Sequence, residues 1–141
     1  IWGSRWGTSN ESLLQPYIRG FPVLGDFYAL AIGSSKINLG LLQDRQGLAP
    51  VGDSVTSRGL HIPASGGFLL HERNEGVLEY FVEGKEMACF GSREELVEKV
   101  RYYLLHERER QQIAKAGYER CIKENGWVDR ARVIISKFEK N

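Results

Sequence analysis

A chain of 141 residues with 42% hydrophobic content is long enough to fold around its own core without disulfide or metal staples. Its 19 basic and 18 acidic residues nearly cancel and interleave, which argues against a nucleic-acid surface built on net charge. No run approaches the roughly 18 apolar residues of a membrane-spanning helix, no secretory-leader pattern appears, and Cys89 and Cys121 share no redox or metal spacing, so a reducing, cytoplasmic setting is expected.

Ile1-Trp2 reads as the start of an edge strand, with no initiator Met before it. The expectation is one domain, residues 1–141, excised from a longer chain. Gly3 to Glu11 is polar and glycine-punctuated, a loop. A short helix through Leu13 and Leu14 is predicted to stop near Pro16, followed by loop with a small extended piece to Leu24. Asp26 is placed to cap a helix through Phe27 to Ile32, ended by Gly33-Ser-Ser35. Ile37 to Leu42 reads as a strand. Gln43 to Val55 is a long polar loop, and loops of that length inside compact domains are often functional. The next helix should be short or kinked. Ser57 could cap it, Gly59 is a poor helix former and Pro63 removes a backbone bond.

Gly66-Gly67 then turns the chain, with φ > 0 available. The unbroken apolar run Phe68-Leu-Leu70, ending in His71-Glu72, reads as a buried parallel strand. A short helix over Glu75 to Phe81 and a strand over Lys85 to Phe90 follow. Ser92-Arg-Glu-Glu95 is a capping box, and Leu96, Val97, Val100, Tyr103 and Leu104 recur at helical spacing behind it. A second helix runs from Glu107 to Glu124 with Ile113, Ala114, Cys121 and Ile122 on its inner face, stopped by Asn125-Gly126. A third runs from Trp127 to Phe138. The two cysteines read as small buried apolar groups. Alternating strands and helices followed by helices imply an α/β, Rossmann-like domain: a parallel sheet with helices on both faces and a helical carboxyl terminus.

In such sheets ligands sit at the carboxyl ends of strands, beside helix N-termini. The stretch Gly52 to Arg58 would bring backbone N–H groups, the hydroxyls of Ser54, Thr56 and Ser57, and the Arg58 guanidinium to that mouth, a set that suits phosphate. The competing reading of Arg58 is a surface cation, sitting unfavourably against a helix N-terminus. Gly66 and Gly67 could admit a ligand close to the backbone, although the turn alone explains them. His71 and Glu72 end a buried strand, either as ligand contacts or as a solvated strand end. Arg5, after the first strand, is a further phosphate candidate. No metal site is expected. His61, His71 and His106 share no ligand spacing, and no Asp-x-Asp pair is present. A serine-hydrolase triad would lack its glycine-flanked nucleophile, and no cofactor is called for.

Four ordered blocks carry a family resemblance: Ile62-Pro-Ala-Ser-Gly-Gly-Phe-Leu-Leu70, Leu78-Glu-Tyr-Phe-Val-Glu-Gly-Lys-Glu-Met-Ala-Cys-Phe90, Ser92 to Leu104, and Ile113-Ala-Lys-Ala-Gly117. Together they resemble the donor-binding half of group 1 glycosyltransferases, nearest the spore-maturation-type branch, over residues 25 to 140. The resemblance implies one half of a GT-B architecture. This half would bind a nucleotide-sugar donor, an amino-terminal half of the same protein would bind the acceptor, and the chain alone would turn over little. Arg58 would clamp the donor diphosphate. At His61 the family carries a Glu, in an Arg-x-x-Glu-Ile-Pro-Ala arrangement, where it would accept hydrogen bonds from sugar or ribose hydroxyls. A neutral His accepts only one. That departure keeps a second class open, a non-catalytic binding or assembly module that kept the fold and lost donor chemistry.

Overall fold

The computed structural model describes residues 13–42, 55–124 and 126–139. Two compact units divide the chain, Ile1–Ala31 and Ile32–Asn141. In the first, a 3-10 turn covers Gln15–Tyr17. The predicted helix through Leu13 and Leu14 is therefore displaced. Pro16 starts the helical turn rather than stopping it, because its missing N–H costs nothing in a first turn. Helix α1, Asp26–Ser34, begins in this unit with Asp26 in its first turn, where a carboxylate complements the helix dipole.

Among the described residues of the second unit three parallel strands pair, β1 (Asn38–Gly40), β2 (Leu69–Glu72) and β3 (Ala88–Phe90), in that spatial order. Helix α2 (Ser57–Ala64) lies between β1 and β2 in sequence, and α3 (Glu75–Tyr80) between β2 and β3. Helices α4 (Arg93–Leu105), α5 (Glu107–Glu124) and α6 (Trp127–Phe138) complete the chain. Leu69, Leu70 and His71 are all buried although they alternate between the two faces of the sheet, so both faces of β2 are covered. On one face Phe68, Leu70, Ala88 and Phe90 pack with Tyr103 of α4 and Ile113 of α5. The Phe68 and Tyr103 rings lie 4.6 Å apart, tilted by 51°, a favoured aromatic geometry. On the other face α2 brings Ile62 and Pro63 into the core.

The predicted Rossmann-like arrangement is therefore the one observed. Strand β1 is short, and Leu39 leaves it half-exposed at the sheet edge. The strand predicted from Lys85 starts only at Ala88. Gly84, at φ 78°, turns the chain, and Val82 O accepts hydrogen bonds from Lys85 N and Glu86 N. Pro63 sits in the last turn of α2, and the chain then turns through Gly66 at φ 74°. Gly67 is required for space, since a Cβ there would lie 2.4 Å from Ile32 Cγ2. Gly117 lets α5 approach the turn before β3, where a Cβ would stand 2.4 Å from Glu86 O. The Ser92 hydroxyl accepts from Glu95 N at 3.1 Å, as the capping box predicts, but the Glu95 carboxylate reaches one residue further back, to Gly91 N at 2.7 Å.

Candidate functional site

The carboxyl ends of β1 and β2 meet the amino end of α2. Thr56, not Ser57, occupies the N-cap of α2, and its side chain makes no capping bond. Its buried Oγ1 has no partner among the described residues. Ser57 and Arg58 follow, both exposed. Arg58 Nη2 donates to Leu41 O at 3.1 Å, and Glu72 Oε2 accepts from Leu42 N at 3.2 Å. The two charged side chains thus hold the chain on either side of one peptide as it leaves β1. Arg5 and residues 43–54 of the loop predicted from Gln43 to Val55, Ser54 among them, lie outside the described residues.

His71 is the buried polar group of this corner. Its Nδ1 lies 2.6 Å from Glu72 O. A carbonyl oxygen only accepts, so Nδ1 carries the proton and Nε2 presents a lone pair. Nε2 is buried and has no partner among the described residues. Gly40 makes room for the ring, and Gly59 packs against it at ordinary contact distance. A Cβ on Gly40 would meet His71 Cδ2 at 2.3 Å, and one on Gly59 would stand 3.6 Å from Nε2. Burial pushes the His71 pKa down from 6.5, with the Arg58 charge acting in the same direction, against the Glu72 carbonyl and carboxylate. The solvated reading of His71 does not hold: the residue is fully buried, and the missing Cβ of Gly40 leaves the space that its ring occupies.

A cleft of about 510 Å3 lies along the outer face of α2, within the size range of small-molecule sites. Thr56, Ser57, Leu60 and His61 form its α2 wall, with Tyr80 and Cys121 facing them. The spacing of the α2 residues is that of one helix face. Arg120 Nε donates to Tyr80 O at 3.2 Å, tying α5 to the end of α3 on the opposite wall. Of the predicted residues, Thr56, Ser57 and His61 are therefore brought together in one cleft, whereas Arg58 and Glu72 turn to the sheet side, and Gly66 and Gly67 lie at the other end of α2. Sequence reasoning missed Leu60, Tyr80 and Cys121 as cleft residues. Helical spacing from Ser57 pointed to Leu60, while nothing local marked the other two.

Beyond β2 and β3 the same edge carries an ionic cluster. Arg73 pairs with Glu83 at 2.8 Å and Glu95 at 2.9 Å, and Lys99 pairs with Glu95 at 3.0 Å. Hydrogen bonds from Arg73 hold the Glu83 and Glu95 carboxyls well below their usual range. Such solvent-facing pairs contribute little to stability. Burial pushes the Cys89 thiol up to about 12, so it is an inert core group. Among the described residues no group of three or more His, Cys, Asp or Glu side chains could hold a metal, and no helix is long and apolar enough to cross a membrane.

A parallel α/β sheet with a cleft beside the N-terminus of its central crossover helix is an arrangement that many chemistries share. The profile of the glycosyl transferase-like family decides among them, matching residues 1–136. The chain belongs to the glycosyl transferase-like family. No curated protein matches it. As a glycosyl transferase-like domain, it places the α2 cleft and the β1–β2 corner where open α/β sheets take their ligands.

Proposed function

We propose that this glycosyl transferase-like domain binds a nucleoside diphosphate sugar, with the diphosphate at the amino end of α2 and the nucleoside along the α2 cleft. The observation that carries this reading is the cleft itself, which opens beside the α2 N-cap and gathers Thr56, Ser57 and His61. The Thr56 hydroxyl, buried without a partner among the described residues, suits a phosphate oxygen. The first N–H groups of α2 add donors aimed at the same anion. In the reaction the bond from the sugar anomeric carbon to the diphosphate oxygen breaks, its electron pair leaving with the diphosphate, and an acceptor hydroxyl oxygen becomes bonded to that carbon with its proton released to water. The charge gathering on the departing diphosphate is met by those amides, by the Thr56 and Ser57 hydroxyls, and by the free edge of Arg58. Ser54 and Glu72 are the further proposed donor contacts, whereas Gly66 and Gly67, at the far end of α2, serve the turn and its packing. The acceptor binds on a second α/β half, and the spore-maturation-type branch is the closest fit of the sequence blocks.

A second reading, a module that binds without transferring, is favoured by one observation. Arg58 and Glu72 already hold the Leu41–Leu42 backbone, and His61 stands where the resemblance expects a Glu. Calorimetric titration with uridine and guanosine diphosphates separates the two. Transfer chemistry requires binding that weakens roughly tenfold or more in Arg58→Ala, the worth of a charge-assisted phosphate contact. A folded chain that binds neither diphosphate is the module.

A further inference from the structure

We propose a second ligand site, for the carboxylate or phosphate group of a small molecule, at the amino-terminal edge of the sheet. A hollow of about 200 Å3 opens there. Ser34, Ser35 and Lys36, between α1 and β1, form one wall, and Glu107, Arg110 and Gln111, in the first turns of α5, form the other.

Arg110 makes the case. It is only 6% exposed, and a guanidinium is almost never buried without compensation. Its Nη1 donates to Tyr103 O, in the last turn of α4. Among the described residues no carboxylate pairs with it, and its remaining N–H groups have no acceptor. With Nη1 committed, the edge formed by Nε and Nη2 remains, and two parallel N–H groups are the arrangement that grips two oxygens of one oxyanion.

The surroundings favour such an occupant. Lys36 is exposed and has no ion pair among the described residues. Glu107 is the single acid on the wall, and its Oε1 accepts from Gln111 Nε2 at 3.0 Å. Two cations against one carboxylate leave one positive charge. The amino end of α5, an 18-residue helix, adds positive potential. The last carbonyls of α1 oppose it with roughly half a unit charge and offset that contribution, so the one positive charge of the side chains remains. A monoanionic group therefore balances the hollow. The site stands apart from the proposed donor corner and does not depend on it.

The test titrates the full chain with inorganic phosphate and, in parallel, acetate, at constant ionic strength with chloride as the balancing ion, following the melting temperature and the heat of binding. A saturable response is expected for at least one of them, and the stronger identifies the headgroup. Lys36→Ala should weaken it about tenfold, as expected for one charge-assisted contact. Glu107→Gln should tighten it about threefold by removing a like charge. Both residues are exposed, so neither variant tests folding. Arg110→Lys, which keeps the charge and loses the paired N–H edge, should abolish the saturable response. Arg58→Ala should leave it unchanged. The absence of any saturable response overturns the proposal. So does a response that Arg58→Ala removes and that Lys36→Ala and Glu107→Gln leave intact, because the anion would then occupy the opposite edge of the sheet.

Discussion

The two faces of the central sheet are built differently. Toward α4 and α5 the sheet packs on an apolar cluster of Phe68, Leu70, Ala88, Phe90, Tyr103 and Ile113, with the buried Arg110 at its amino-terminal margin. Toward α2 the sheet carries polar groups. Asn38 Nδ2 donates to Ile32 O and Phe68 O, both at 3.3 Å, and His71 keeps a buried Nε2 without a partner among the described residues. An unsatisfied buried polar atom is costly, and such atoms concentrate at functional sites. The α4 face stabilises the domain, and the α2 face gives up stability at the carboxyl ends of β1 and β2.

The comparison can be broken by measurement. The largest loss is expected for Leu70→Ala, about 3 kcal/mol by denaturant unfolding, because a fully buried side chain in a close-packed cluster leaves a cavity. Gly40→Ala, on the opposite face, is expected to cost about 2 kcal/mol through overpacking against the His71 ring. A greater loss at Gly40 than at Leu70 would reverse the assignment of the two faces. The smallest effect sharpens the contrast. His71 is neutral in the fold with a pKa below 6.5, so the unfolded chain takes up its proton first. Its contribution to stability is intact above pH 6.5 and lost as pH falls through the folded-state value. The slope in that window is at most about 1.4 kcal/mol per pH unit. His71→Gln should flatten it in urea titrations between pH 5 and 7, whereas Leu70→Ala should leave it unchanged.

Much of the fold was legible because its signals are local. The Phe68 apolar run gave a parallel strand, and helical periodicity gave α4, α5 and α6. Errors arose where a distant partner or a backbone angle decided the outcome. The Lys85 strand lost its first residues to the turn at Gly84, which alternation of side chains does not reveal. Arg58 and Glu72 had the right chemistry for a ligand, yet they bond backbone groups 17 and 30 residues away. The burial of His71 depends on a glycine in β1, Gly40, so no window around residue 71 could show it. Thr56, Ser57 and His61 were recoverable because one helix face carries all three.

Gly117 has a reach beyond its own turn. The hydrogen at that position sets how low α5 can ride over Glu86, and Cys121, one turn onward, forms the far wall of the α2 cleft. The breadth of the groove is thus governed from beneath, by a residue outside its lining. Enlarging residue 117 would lift that wall and reshape the cleft, with every lining side chain untouched.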